Sequence, residues 1–261
     1  MELNGNPVGT DQLQALALVN YGHFTSMLVE GRSGVRGLSL HLERLMRDCR
    51  TLFDADLEPD HIRELVRRAV RDSDETAVVR VSVFDPKLEL GRPSADATPH
   101  ILVTVRPAAS TPVGPLNLQS AVYARDLPKV KHVGLFGALY QRRIAQLNGF
   151  DDVLFTNSDG TVTEIATSNI GFIDADGHLI WPRAEVLAGT TMRLLSQTLD
   201  EEVLTRPITL AQLPRFVAAV ATNAAVGVRA VGRVDETHWP VTHEAIERLR
   251  KEYESIPPEQ I

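Results

Sequence analysis

Three strings decide the reading of this chain: LPKVKHVG at residues 127–134, GTVTEIATSNIGF at 160–172 and LAGTTMR at 187–193. The first holds two of the four lysines in the protein, Lys129 and Lys131, so amine chemistry has few carriers. If that apolar passage is extended, the two side chains point the same way, and strand alternation does not choose between them. In the second string, Glu164 follows an alternating run and precedes Ala166, Thr167, Ser168 and Asn169, small and polar residues that leave room beside a carboxylate for a flat ligand. The third sets Gly189 before Thr190 and Thr191 at the start of an expected helix. Helix starts carry unpaired N–H groups and the positive end of the dipole, which suits an anion, although ordinary capping uses the same residues.

Working outward, LPKVKHVG leads into a helix expected over Leu135 to Asn148, after a strand near Leu118 to Tyr123. Asp-Gly turns at Asp159-Gly160 and Asp176-Gly177 each separate two strand-like runs, the grammar of hairpins. Thr190 to Leu199 reads as a helix, VAAVATNAAVGVRAVGRVD as strand, turn and strand, and Thr242 to Tyr253 as a polar-faced helix. Upstream, Asn4-Gly5 is a turn signal, and HFTSMLVEGRSGVRGLSL at residues 23–40 reads as two strands joined by a Gly-rich turn. Apolar residues at helical spacing then mark His41 to Phe53 and Asp60 to Ala69, followed by strands at Thr76 to Phe84 and over PHILVTVRP. This pattern predicts an α/β (α+β) protein of two domains. The aperiodic RPAASTPVGP supplies the break: a small α/β domain over 1–106, a linker over 107–113, and a larger strand-rich domain over 114–261.

Composition narrows the partners. The 261 residues are 43% hydrophobic with a net charge of −7, which argues against broad electrostatic binding to nucleic acid or to an anionic membrane. Cys49 is the single cysteine, so no intramolecular disulfide forms, and the lack of a signal-like or long apolar run fits a cytoplasmic protein. No metal-ligand motif stands out.

The chemistry-bearing residues can be weighed singly. An amine forms a Schiff base only when neutral, which favours a partly desolvated lysine. A carboxylate such as Glu164 set against a pyridine nitrogen keeps that nitrogen protonated and the ring electron-poor. Arg44, in HLERL, has the planar fork that suits a phosphate. TNAA at Thr222 to Ala225 is a small-residue turn that lets an anion approach the backbone.

Taken in order, Arg44 in HLERL, Lys131 in KH, Glu164 in GTVTEIATSNIGF, LAGTTMR and TNAA resemble the class IV aminotransferases, the fold-type-IV pyridoxal-phosphate enzymes. That group includes branched-chain and D-amino-acid aminotransferases and aminodeoxychorismate lyase. The resemblance runs from residue 4 to about residue 235, and its E-x4-N segment after an Asp-Gly hairpin is its most specific part. It implies a small α/β domain and a larger pseudo-barrel domain, pyridoxal 5'-phosphate as cofactor and a homodimer. It implies that Lys131 forms the Schiff base and moves the proton, and that Glu164 pairs with the ring nitrogen. Arg44, Thr190, Thr191 and the backbone at Asn223 and Ala224 would hold the phosphate, and Leu187 would lie against the ring. The implied reaction is amino-group transfer between an amino acid or amine and a 2-oxo acid. The alternatives are a lyase-type elimination releasing pyruvate, and a non-catalytic cofactor-binding protein.

Two departures from the family pattern stand out. Met192 occupies a slot where many members carry arginine, with Arg193 beside it, which leaves the helix-start register open by one. The region after Lys131, GLFGAL, lacks a tyrosine found in branched-chain members, and Tyr140 lies nine residues on. Arg80, Arg92, His23 and Thr167 are the candidates for the substrate end.

Overall fold

The structure is a computed structural model that describes residues 1–31, 34–72, 75–108, 114–199 and 203–261. The Gly-rich turn expected near residue 32 and the linker expected over 107–113 therefore lie partly outside the described residues. The chain divides into two compact units. One comprises Met1–Ala109, Val130–Gly134 and Pro257–Ile261, and the other Ser110–Lys129 and Leu135–Ile256. Five residues around Lys131 and the last five residues thus belong with the N-terminal unit.

The first unit contains β1 (Glu2–Leu3), β2 (Asn6–Pro7), α1 (Thr10–Leu18), β3 (His23–Val29), α2 (Leu38–Phe53), α3 (Pro59–Val70), β4 (Ala77–Phe84) and β5 (His100–Pro107). The strands form an antiparallel sheet ordered β2-β1-β5-β4-β3. Asn4 and Gly5 both have positive φ, 47° and 78°, which makes the two-residue turn between β1 and β2 that their sequence signals. Met27 and Val29 of β3, Val79, Val81 and Val83 of β4 and Ile101 and Val103 of β5 pack against Leu38, Leu42, Leu45 and Cys49 of α2.

The expected second strand over GVRGLSL is not formed. Gly37 takes a left-handed conformation, φ 70°, and the helix starts at Leu38, because Leu38 continues the stripe Leu42–Leu45–Cys49 rather than a strand alternation. Val35 makes a lone bridge to Glu259. The helix α1 carries almost no sequence signal, since Ala15 is its single buried residue.

Gly37 offers α2 no side-chain cap. The C-terminal segment supplies one: Glu259 accepts hydrogen bonds from the Ser39 N–H and Oγ, both at 3.0 Å. Glu259→Ala is therefore expected to cost about 1 kcal/mol of stability, as loss of a helix cap does. An unchanged urea midpoint would show that the contact contributes nothing.

The second unit contains β6 (Leu116–Val122), α4 (Phe136–Leu147), β7 (Asp152–Thr156), β8 (Val162–Ile165), β9 (Asn169–Ile173), β10 (Leu179–Pro182), α5 (Thr190–Thr198), β11 (Leu204–Arg206), a 3-10 turn (Leu210–Arg215), β12 (Ala218–Asn223), β13 (Gly227–Val234), β14 (Thr237–His238) and α6 (Glu244–Ser255). Nine strands form one half-barrel sheet ordered β11-β10-β9-β12-β13-β6-β7-β8, with β14 paired to β13. Its pairs are mixed, parallel at β10/β11, β6/β13 and β6/β7 and antiparallel elsewhere. Leu118, Leu154, Ile170, Phe172, Ala219 and Val231 fill one core of this unit. The tight turn Ala166 to Ser168 joins β8 to β9, so Glu164, next to the last residue of β8, and Asn169, the first of β9, flank that turn.

Candidate active site

In the first unit, Lys131 extends the edge of the sheet beyond β3. His132 bridges His23, the Lys131 carbonyl accepts the Phe24 N–H at 2.8 Å, and the Val133 N–H donates to the Gly22 carbonyl at 2.9 Å. Gly22 is required there, because a Cβ would lie 2.5 Å from the Val83 carbonyl oxygen. The Lys131 N–H donates to Asp48 Oδ2 at 2.9 Å. Its Nζ stands 5.0 Å from the centre of the Phe24 ring, over which Arg80 Cζ also stacks at 3.6 Å. Lys129, by contrast, belongs to the second unit, where its side chain is 72% exposed and pairs with Glu185 at 3.0 Å. The two lysines thus differ in main-chain bonding and exposure, which alternation cannot reveal.

The helix α2 carries a second buried stripe beside its apolar one: His41, Arg44 and Asp48, spaced as i, i+3 and i+7. Arg44 Nη2 donates to Thr25 Oγ1, which lies 2.6 Å from His41 Nδ1. With Arg44 donating to the hydroxyl oxygen, the hydroxyl proton points to Nδ1, so His41 serves as a neutral acceptor. Burial, and then the charges of Arg44 and Lys131, push the His41 pKa well below the usual histidine range. His23 is likewise fully buried, with no hydrogen-bond partner on either ring nitrogen among the described residues. Burial first, then Arg44 and Arg47, lowers its pKa to about 3.

Both histidines take up protons in the unfolded chain near pH 6.5 but stay neutral when folded. Their contribution to stability is complete above pH 6.5 and is lost as the pH falls toward the folded values. The unfolding free energy of the protein is expected to drop by about 1.4 kcal/mol per histidine per pH unit through this window. A slope between pH 6 and 4.5 that His23→Phe leaves unaltered would contradict this assignment for His23.

In the second unit, Glu164 lies buried on β8 with Arg125 Nη1 3.4 Å from its Oε1, so it is not a solvated strand end. Asn169 ties down the loop before α5: its Nδ2 donates to the Leu187 carbonyl at 2.7 Å and its Oδ1 accepts the Gly189 N–H at 3.0 Å. A Cβ on Gly189 would stand 2.3 Å from that Oδ1, so a glycine is needed at the start of α5. Ser168 Oγ accepts from Asn223 Nδ2 at 2.9 Å, while Asn223 Oδ1 caps the N–H groups of Ala225 and Val226, both at 3.0 Å. The adjacent residues Ser168 and Asn169 therefore brace both small-residue turns, 187–190 and 223–226, which gives the E-x4-N spacing its physical meaning.

The first helical bond of α5 runs from the Arg193 N–H to the Gly189 carbonyl, placing Thr190 and Thr191 in the first two helical positions. Thr191 Oγ1 and Thr222 Oγ1 are buried hydroxyls without a hydrogen-bond partner among the described residues. Orphaned buried hydroxyls cost free energy unless a ligand meets them, and the Thr191 hydroxyl, in the first turn of a helix with no side-chain cap, fits an anion such as a phosphate. Leu187 is buried on the same loop, and Ala224 lies in the turn after β12.

The remaining candidates divide. Arg80 stays with Lys131 through the shared Phe24 ring, whereas Arg92 is exposed in the loop after β4 and Thr167 is committed to Asp152 Oδ2 at 3.0 Å. Tyr140 is exposed on α4, where it stacks on Phe136. Arg125, Asp48, His41 and Thr25 are the partners that reading the sequence does not single out. For three of them the available signal is the polar i, i+3, i+7 spacing on α2 and its bond to β3. A cavity of about 500 Å³ in the second unit, lined by Asp174, Gly177, His243 and Arg248, contains none of these groups, whereas a smaller one of about 70 Å³ is lined by Arg125, Thr163 and Glu164.

Comparison with known proteins gives a consistent result. The family model described as amino-transferase class IV matches residues 22–234. A Rickettsia felis protein named "Probable branched-chain-amino-acid aminotransferase" is 24% identical over 97% of this chain and 94% of its own length. The structure of a branched-chain aminotransferase from Thermoproteus uzoniensis with norvaline superposes with a TM-score of 0.85 at 18% identity, over 97% of this chain and 92% of that one. A hypothetical aminotransferase from Mycobacterium tuberculosis, in a form with alpha-ketoglutarate and PMP bound, gives 0.82 at 18% identity, over 96% and 93%.

Proposed function

The chain belongs to the class IV aminotransferase family, and from that membership we propose that it uses pyridoxal 5'-phosphate to move an amino group between an amino acid or amine and a 2-oxo acid. The observation that carries this reading is the seating of Lys131. Its main chain is held on both sides, by the Phe24 N–H and by Asp48, in the same unit as the buried Arg44.

When bound, pyridoxal phosphate supplies an aldehyde that condenses with amines and a ring that accepts the electrons left when a Cα–H bond breaks. Lys131 Nζ would hold the cofactor between turnovers, then accept the substrate's Cα proton and return it. The Glu164 carboxylate would accept the ring N–H, with Arg125 as its charge partner. Phosphate binding is the role proposed for Arg44, and likewise for Thr190, Thr191 and the backbone at Asn223 and Ala224. The unpartnered Thr191 and Thr222 hydroxyls support that assignment. Buried Leu187 would give the ring an apolar face. Arg80, stacked on the ring that also neighbours Lys131 Nζ, is the best-supported residue for a substrate carboxylate.

We read the protein as a homodimer acting in the cytoplasm. The α4 face of Phe136, Leu139, Tyr140 and Leu147 is apolar and exposed, with Phe136 at 81%, which supports burial against a second subunit. No helix among the described residues is long and apolar enough to cross a membrane.

Half-reactions test the chemistry. The loaded protein, mixed with single L-amino acids, D-amino acids or (R)-amines, is expected to convert its cofactor to the aminated form with at least one class. Pyruvate release from aminodeoxychorismate without that conversion would place it with the lyases instead. A protein that gains no absorbance with pyridoxal phosphate would be a non-catalytic member.

A further inference from the structure

We propose that Asp48 is a positioning residue for Lys131, a role that rests on reading Lys131 as the cofactor-binding amine. Asp48 is fully buried at the core-facing side of α2, between Arg47 and Cys49. A carboxylate in such a place costs free energy unless its oxygens are matched. They are divided between two tasks. Oδ1 accepts from Arg47 Nε at 3.1 Å and Nη2 at 2.7 Å, and Oδ2 accepts the main-chain N–H of Lys131 at 2.9 Å.

Nothing in the helix or its apolar core calls for a carboxylate at this position; the lysine segment does. Only five residues, Val130–Gly134, belong with this unit while their chain neighbours on both sides belong to the other. The segment is short and is held by its pairing to the β3 edge and by Asp48. The Phe24 N–H on one side and Asp48 on the other clamp the peptide groups flanking the Lys131 Cα. Arg44 lies one helical turn before Asp48, so one rigid helix fixes both the guanidinium and the origin of the lysine side chain. An error of about 1 Å in such a placement can cost on the order of a hundredfold in rate.

A charged pair whose carboxylate meets the Lys131 N–H would also act on the charge of the lysine. The charged and titratable groups around the segment include Asp48, which meets the Lys131 N–H, its partner Arg47, His41, whose pKa is lowered by burial and then by Arg44 and Lys131, and Arg80, which shares the Phe24 ring with Lys131 Nζ. Removing the carboxylate leaves positive neighbours and disfavours a protonated amine, whereas removing Arg47 does the reverse.

The test uses the full chain with Asp48→Asn and Arg47→Met. In cofactor-free protein, hydrogen exchange at the Lys131 amide is expected to speed up by about tenfold in Asp48→Asn, the loss of one ordinary hydrogen bond, while β4 and β5 amides hold. In the loaded protein, the pH midpoint of the Lys131-linked absorbance is expected to fall in Asp48→Asn and rise in Arg47→Met. The amino-transfer step is expected to slow by about a hundredfold in Asp48→Asn, with cofactor affinity little changed. Unchanged exchange and an unmoved midpoint in folded Asp48→Asn would overturn the proposal. If that variant does not fold, Arg47→Met decides, since its side chain is 43% exposed and its loss spares the core: an upward midpoint supports the role and a fixed one overturns it. A wild-type protein that never takes pyridoxal phosphate at Lys131 would instead sink the cofactor reading, and the role with it, while the exchange data still report whether Asp48 clamps the segment.

Discussion

Replacing Lys131 with alanine is expected to lower amino-group transfer by about a thousandfold or more and to abolish covalent retention of the cofactor. A positioned proton carrier contributes roughly 10²–10⁴ in rate, and this lysine would also hold the cofactor. The companion variant Lys129→Ala is expected to stay within about twofold, because it removes an exposed ion pair with Glu185 worth about 0–1 kcal/mol. Steady-state rates of both variants decide the matter. Equal losses, or a larger loss at Lys129, would overturn the assignment.

The second large effect is expected at Glu164. Glu164→Gln keeps the shape of the side chain but removes the charge that faces Arg125 and that, on the proposed reading, would face the ring nitrogen. A preorganised electrostatic partner is worth about 10²–10³ in rate, so kcat is expected to fall by about a hundredfold while the cofactor remains attached to Lys131. Its pocket partner Arg125 is left without that negative neighbour, and a loss of stability accompanies the loss of rate. Turnover of the Glu164→Gln variant within about threefold of wild type, against the loss expected for such a partner, would show that the ring nitrogen is not read by this carboxylate.

Local signals made much of the fold legible. The Asn4-Gly5 turn, the β-branched run at β4, the Asp-Gly hairpins and the Leu42–Leu45–Cys49 periodicity each act within a few residues, and each element forms where its pattern lies. Non-local pairing was not legible: the Ser39–Glu259 contact spans 220 residues, and Gly37 turns an apparent strand into a helix start by its left-handed φ. The candidate site divides in the same way. The E-x4-N spacing was visible, but not that Ser168 and Asn169 brace two turns at once. His41 and Asp48 share the helical spacing of the apolar stripe beside them; as polar residues they read as solvent-facing until β3 and the lysine segment cover them. Lys129 and Lys131 have equivalent sequence contexts, and the main-chain bonds that separate them come from Phe24 and Asp48, both distant in sequence.

The most direct measurement is to load the protein with pyridoxal phosphate, reduce it with borohydride, digest it with a glutamate-specific protease and locate the added mass by fragment-ion spectrometry. The mass is expected on Lys131 alone. Its appearance on Lys129, its spread over several lysines, or its absence from a folded protein would contradict the central assignment.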